Sequence, residues 1–320
     1  MQDTKDSLLS DIPRIKNSLE DHGYIATKRM ATVVYLASAL NKPVLVEGPP
    51  GVGKTELAKT CASMMRGPLI RLQCYEGLDE SKALYEWKYG KQLLYTQLLK
   101  TQLDQILEGA SGLHECMARL HSFEDTFYSE PFLEARPLLK AMNSKDGCVL
   151  LIDEIDKADC EFESLLLEVL SDFQISIPEL GTIKAKSKPL VFLTSNNTRE
   201  LSDALKRRCL YLHIPLPSTE LEEKIIKAKV PELQNSITNQ LVRFVQNLRK
   251  LDLKKPPAIS ETVDWASSLV LLHATSLEPD LVKETLNILL KYEEDVVLAE
   301  HQMNSIMTAP VSNSNVTTES

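Results

Sequence analysis

Val44-Leu45-Val46-Glu47-Gly48-Pro49-Pro50-Gly51-Val52-Gly53-Lys54-Thr55 is the stretch that decides the fold. A short aliphatic run gives way to the spacing G-x-x-x-x-G-K-T, and a helical pattern begins near Lys54. That strand, loop and helix order is the context a phosphate-cradling loop requires. Glycines let backbone N–H groups turn inward around phosphate oxygens at the positive end of the helix. On this reading Gly48, Pro49, Pro50, Gly51, Val52, Gly53, Lys54, Thr55 and Glu56 line a nucleotide. Lys54 places a point charge on its outer phosphates, and the Thr55 hydroxyl ligates Mg²⁺.

A second stretch, Cys148-Val149-Leu150-Leu151-Ile152-Asp153-Glu154, reads as an apolar strand ending in two carboxylates. α/β proteins bind ligands at the carboxyl ends of such strands. Alternation along the strand points the two side chains to opposite sides, so Asp153 faces the Mg²⁺ shell and Glu154 reaches an attacking water as general base.

Working outward, aliphatic runs at Val44–Glu47, Leu69–Gln73, Val149–Asp153, Leu190–Ser195 and Leu210–His213 alternate with longer helical patterns. This is the rhythm of parallel strands with helical crossovers. Ser18 to about Leu40 reads as a helix, with Ile25, Met30, Val33, Val34, Leu36 and Leu40 on its apolar face. Leu78–Tyr128 is too long for a minimal crossover and carries the aromatic cluster Tyr85–Tyr89 and an amphipathic segment Leu93–Leu107, so it reads as an insertion. Phe173–Lys188 reads as a β-hairpin turning at Pro178–Gly181. After Pro215 and Pro217 the strands stop, and Ser218–Lys229, Pro231–Leu251 and Ser260–His301 read as three or four helices. The expected division is 1–216 for the α/β nucleotide-binding domain, with an insertion at about 78–128 and a hairpin at about 173–188; 217–305 for a helical lid; and 306–320 for a disordered tail.

A chain 43% hydrophobic with a quarter of its residues charged can bury one large core and a smaller one. The formal net charge of −9 argues against wholesale coating of nucleic acid. Cys61, Cys74, Cys116, Cys148, Cys160 and Cys209 show no zinc spacing and read as reduced thiols. His114, His121 and His213 also lack a partner at metal spacing. No apolar run approaches the ~20 residues a membrane span needs, and a cytoplasmic location is expected. Lys184, Lys186 and Lys188 alternate as on a solvated strand face.

Together these residues resemble the AAA+ ATPase superfamily over roughly Ile25 to His301, with Walker A at Gly48–Thr55 and Walker B at Leu150–Glu154. The likeness extends to the MoxR family, in particular its CoxD-like branch. It is carried by Arg71–Asp79 (RLQCYEGLD), Leu150–Asp156 (LLIDEID), Leu166–Gln174 (LLEVLSDFQ), Ile177–Ile183 (IPELGTI) and Leu201–Cys209 (LSDALKRRC). The resemblance implies an AAA+ P-loop core with a five-stranded parallel sheet and a small helical lid, using ATP and Mg²⁺, with Lys54, Glu154, Asn196 and Arg208 as catalytic residues. Asn196 stands at sensor 1, with Asn197 as the fallback. Arg208, or else Arg207, stands at the arginine finger that enters a neighbouring subunit's site. Sensor 2 departs from the pattern, since Glu261 occupies the place of the usual arginine, leaving Lys254 or Lys255 as substitutes. The insertion and hairpin resemble elements that line the pore face of a ring, where Tyr85, Trp87 and Tyr89 either grip a client or pack beneath their own insertion. The family implies a homo-oligomeric ring, a hexamer in the family's habit, that remodels or loads cofactor into a metalloenzyme such as a molybdenum-containing hydroxylase, with a von Willebrand A-domain adaptor. The alternative within the same fold is a nucleic-acid motor or loader.

Overall fold

The computed structural model describes residues 9, 11–100, 127–178 and 180–309. Cys116, His114, His121, the end of the Leu93–Leu107 segment and the tail beyond residue 309 lie outside them.

Five parallel strands form the central sheet: β1 (Val44–Glu47), β2 (Leu69–Gln73), β5 (Val149–Asp153), β8 (Leu190–Ser195) and β9 (Leu210–His213), in the order β2-β5-β8-β1-β9. Strands β1, β5 and β8 are buried on both faces except at Glu47, which is why they read as unbroken apolar runs rather than alternating ones. The chain leaves β1 for one side of the sheet and later returns to its other side as β9. The resulting crevice at the carboxyl ends of β1 and β8 is where such sheets bind ligands. Two apolar cores lie on the faces of the sheet, one around Leu150, Leu166 and Leu193, the other around Val46, Leu57 and Phe192. Helices after Pro217 enclose a third core of their own, around Phe244, Trp265 and Leu286.

The N-terminal helix expected over Ser18–Leu40 is two helices, α1 (Ile12–Asp21) and α2 (Lys28–Leu40). The break is at Gly23, whose φ of +78° ends the first helix, and Thr27 restarts the second by accepting from the Met30 N–H. Helix α3 (Lys54–Met64) follows the phosphate loop. The insertion begins with α4 (Glu80–Ala83) and β3 (Tyr85–Trp87), continues in α5 (Tyr89–Lys100), and closes through the antiparallel pairing of β3 with β4 (Leu133–Ala135). It therefore ends near Ala135 rather than Tyr128. Trp87 is only 7% exposed and meets Tyr128 edge-on at 5.3 Å, so it packs under its own insertion, whereas Tyr89 is 63% exposed.

α6 (Pro137–Asn143) leads into β5, and α7 (Cys160–Asp172) into the hairpin β6 (Gln174–Ile177) and β7 (Gly181–Lys184). Lys184, Lys186 and Lys188 are exposed, as their alternation suggested. The short α8 (Asp203–Arg208) precedes β9.

The C-terminal helices are α9 (Thr219–Lys229), α10 (Asn235–Leu248), α11 (Ile259–Leu271), α12 (Pro279–Leu289), α13 (Glu293–His301) and α14 (Met303–Thr308). The run expected from Ser260 to His301 is thus split twice, at the left-handed His273 and before the Glu293 start. The chain also stays docked past 305: Ile306 is buried, and Asn247 Nδ2 donates to the Ile306 and Ala309 carbonyls. At the centre of this unit the fully buried Glu222 takes both Arg249 Nη1 and Nη2 at 2.7 Å, together with Gln246 and Thr262.

Candidate functional site

β1 delivers the phosphate loop, and space as well as angle forces two of its glycines, Gly48 and Gly51. A Cβ on Gly48 would stand 2.1 Å from the Ile214 carbonyl oxygen. Gly51, at φ +75°, faces Ser260 Oγ at 2.5 Å and Ala258 Cβ at 2.6 Å in the same sense, so the loop touches the start of α11 with no room for a side chain. Lys54 is 7% exposed, and its Nζ donates to the carbonyls of Gly48 (2.7 Å) and Pro49 (2.8 Å) and to Asn196 Oδ1 (2.7 Å). Burial pulls its pKa below the usual lysine value, opposed by the carboxylates of Asp156, Asp153 and Glu154.

Asp153 ends β5 at 3% exposure. Its Oδ1 accepts from Thr55 Oγ1 (3.0 Å) and Thr194 Oγ1 (2.5 Å), and its Oδ2 accepts from Arg71 Nε (3.0 Å) and Nη2 (2.6 Å). Glu154 departs from the alternation argument. The strand stops at Asp153, and Glu154 adopts a left-handed conformation at φ 57°, ψ 51°. That turn brings both carboxylates to one cleft of about 270 Å³ instead of opposite sides of the sheet; Lys54, Thr55, Thr194, Asn196 and Ser260 line it too. Glu154 Oε2 accepts from Gln73 Nε2 at 2.8 Å and pairs with Lys157 Nζ at 2.6 Å.

Asn196 enters this cleft from the end of β8, and a residue the sequence reading passed over holds it there. Asp156, 4% exposed, accepts at Oδ2 from the Asn196 N–H (3.2 Å), the Thr198 N–H (3.0 Å) and Thr198 Oγ1 (2.6 Å). Burial raises the pKa of this carboxyl, but the Thr198 and Asn196 hydrogen bonds outweigh it and hold the group below the usual aspartate value. Asn197, the fallback, is exposed outside the cleft, its N–H on Ser195 Oγ.

A larger cavity of about 750 Å³ adjoins the phosphate loop. Its walls are the Gly23–Thr27 turn, Val52, Ile214–Pro217 and the first turn of α11, an apolar lining suited to a flat aromatic base. Glu56 lines both cavities and pairs with Lys229 of α9 at 3.4 Å. At the sensor 2 position Glu261 turns back on its own helix, accepting from the Ala258 N–H (3.1 Å) and Ser260 Oγ (2.8 Å). The suggested substitutes do not reach the cleft: Lys254 pairs with Glu294 at 2.8 Å, and the Lys254 and Lys255 amides both donate to Asp295. Arg208 is exposed on α8, where its Nε donates to Ser171 Oγ at 2.7 Å; neither it nor Arg207 lines the chain's own cleft.

The donor set fits a nucleoside triphosphate with a hard divalent cation: a buried ammonium, inward-turning loop glycines, and hydroxyl and carboxylate oxygens at Thr55 and Asp153. Among the described residues no group of three or more His, Cys, Asp or Glu side chains could hold a metal unaided, so such an ion would complete its shell from phosphate and water, as Mg²⁺ does. Cys61, Cys74 and Cys209 take no part, since burial pushes their thiols up to about 12. Among the described residues no helix is long and apolar enough to cross a membrane.

Arg71, Gln73 and Asp156 escaped the sequence reading as individual site residues: only the pairing of β2 with β5, Gln73 opposite Asp153, sets the first two beside the carboxylates, and only the approach of the turn after β5 to the end of β8 brings Asp156 to Asn196. The Gly23–Thr27 wall had a signal in Gly23, hidden by the helical pattern around it.

Sheet order, loop and carboxylates together define an α/β P-loop nucleotide-binding protein. Residues 43–209 match the AAA domain of the dynein-related subfamily, and the chain belongs to that family of nucleotide-hydrolysing ATPases. An uncharacterized protein of Staphylococcus aureus (strain bovine RF122 / ET3-1) is 30% identical over 229 residues, covering 69% of this chain and 73% of the relative. An uncharacterized protein of Staphylococcus epidermidis is 27% identical over 238 residues, covering 72% and 76%. Among solved structures, the Thermotoga maritima RuvB Holliday junction branch migration motor is similar at 18% identity and a TM-score of 0.44, covering 82% of this chain and 67% of that one.

Proposed function

We propose that this chain is a Mg²⁺-dependent ATP hydrolase that works as a subunit of a homo-oligomeric ring and remodels, matures or loads cofactor into a client protein complex. The observation that carries the hydrolase is the convergence of Lys54, Thr55, Asp153, Glu154 and Asn196 on one cleft beside a cavity of base-binding character. Lys54 neutralises the outer phosphates. Thr55 and Asp153 would hold the Mg²⁺, which would supply charge neutralisation on the phosphates when bound. Glu154 accepts the proton of the attacking water, and the Asn196 amide, fixed through Asp156, orients that water. Arg208 is oriented by Ser171 on the outer surface and serves the neighbouring subunit's site. Core and lid form a nucleotide-binding domain up to residue 216 and a helical unit after it.

The remodelling role is supported by the resemblance of the Arg71–Asp79, Leu166–Gln174 and Leu201–Cys209 phrases to the MoxR family's CoxD-like branch. The test uses Glu154→Gln to lock ATP in place, captures the protein from its native extract with Mg·ATP, and compares what co-purifies with a Lys54→Ala control. A von Willebrand A-domain protein or metalloenzyme held only by Glu154→Gln supports the reading. Recovery of nucleic acid and its processing proteins replaces the remodelling role with a loader or motor.

A further inference from the structure

Arg71 lies on the edge strand of the sheet, half-exposed, with its guanidinium folded back over the end of β5. Its Nε and Nη2 both donate to the same oxygen, Asp153 Oδ2, at 3.0 and 2.6 Å, two charge-assisted hydrogen bonds from one guanidinium edge. The other oxygen of Asp153 is shared by the Thr55 and Thr194 hydroxyls. A divalent cation coming to Thr55 and Asp153 therefore meets a carboxylate whose charge a resident cation already balances. The same Nη2 donates to Gln73 Oε1 at 2.5 Å, and Gln73 Nε2 donates to Glu154 Oε2 at 2.8 Å. Arg71 does not line the cleft, so its influence is exerted through Asp153 and not by touching phosphate.

We infer that Arg71 is a built-in competitor for the divalent-cation site, a positioning residue that sets the Mg²⁺ concentration at which the site fills. The inference rests on the metal role proposed above for Asp153. Like charges sharing one carboxylate repel, and removing a single charge from beside a doubly charged ion in partly solvated surroundings changes its affinity about tenfold. Lysine at the same place keeps the charge but not the two hydrogen bonds from one edge.

The experiment uses the full chain, a fluorescent ADP analogue and MgCl₂. Nucleotide affinity is measured in EDTA, and the Mg²⁺ concentration giving half of the full Mg²⁺ effect is then read for the wild type, Arg71→Gln, Arg71→Lys and Asp153→Asn. For Arg71→Gln the midpoint falls about tenfold while the affinity in EDTA stays within about twofold. Arg71→Lys falls about threefold, and it carries the test alone should Arg71→Gln not fold. The rise in melting temperature on adding Mg·ADP is also larger for Arg71→Gln than for the wild type, because the ion then supplies counter-charge that Arg71 no longer does. Midpoints at or above the wild-type value in either variant overturn the role of Arg71. A wild type whose nucleotide affinity ignores Mg²⁺, or an Asp153→Asn variant with an undiminished Mg²⁺ effect, overturns instead the assignment of the metal to Asp153.

Discussion

Asp156→Ala removes the acceptor that ties the end of β8 to the turn after β5. Three donors lose their partner at once: the Asn196 N–H, the Thr198 N–H and Thr198 Oγ1. Hydrogen bonds to a charged acceptor contribute about 1.5–3 kcal/mol each when fully buried, but Thr198 is exposed and water will replace part of the loss. The expected cost is therefore roughly 2–4 kcal/mol in urea unfolding. Turnover suffers more than binding, because Asn196 is released from the cleft while the phosphate loop stays intact. A misplacement of about 1 Å in a reacting geometry can cost a hundredfold, so kcat should fall by one to two orders of magnitude, with affinity for a fluorescent ADP analogue within about threefold of wild type. The pH dependence gives a separate check. A carboxyl held below its unfolded value contributes stability that is present above that value, near 3.9, and is lost as pH falls through the folded value. The stability gap between wild type and variant should thus be full at neutral pH and shrink as the pH falls below about 4. A variant with wild-type kcat and no stability loss at neutral pH would falsify the argument that Asp156 positions Asn196.

Other outcomes follow from particular contacts. Gly51→Ala puts a methyl group against Ser260 and Ala258 at a positive φ, costing about 1–3 kcal/mol of strain and weakening nucleotide binding at least tenfold; unchanged affinity in equilibrium titration would show that the loop and α11 separate freely. Arg249→Met leaves Glu222 buried with only neutral partners and should cost about 3–5 kcal/mol in chemical denaturation, most of it recovered by adding Glu222→Leu; no recovery in the double variant would mean that the loss is not electrostatic. Arg208→Ala should lower kcat at least a hundredfold with nucleotide affinity kept. Mixing Arg208→Ala with Lys54→Ala subunits should restore part of the activity, since an intact cleft can then meet an intact arginine, and failure of mixed rings to recover any would count against a shared site.

The five core strands could be read residue by residue: β1, β5 and β8, covered on both faces, leave a continuous apolar signature, and the half-exposed edge strands β2 and β9 still stand out as short aliphatic runs between helical patterns. Helix breaks were harder to see. His273 turns left-handed without any glycine to announce it, and Ile25 kept the helical spacing although Gly23 had already ended the helix. In the site, Lys54, Thr55, Asp153 and Glu154 were legible from local spacing and Asn196 only through the family resemblance, and the structure brings all five to one cleft. The residues that brace them were not. Arg71 and Gln73 act through strand register, and Asp156 acts across the gap between two loops, relations that a linear pattern does not encode. Lys254 and Lys255 are drawn away from the cleft in the same way, since their partners Glu294 and Asp295 come from a helix far along the chain.

The segment Ile214-Pro215-Leu216-Pro217 is at once the strap from β9 to the C-terminal helices and a wall of the larger cavity. Two prolines stiffen it, so it transmits a push better than it absorbs one. A base lodged against that wall would bear directly on the strap, and the attitude of the helical unit would follow the fit of the guest much as a lever follows its fulcrum.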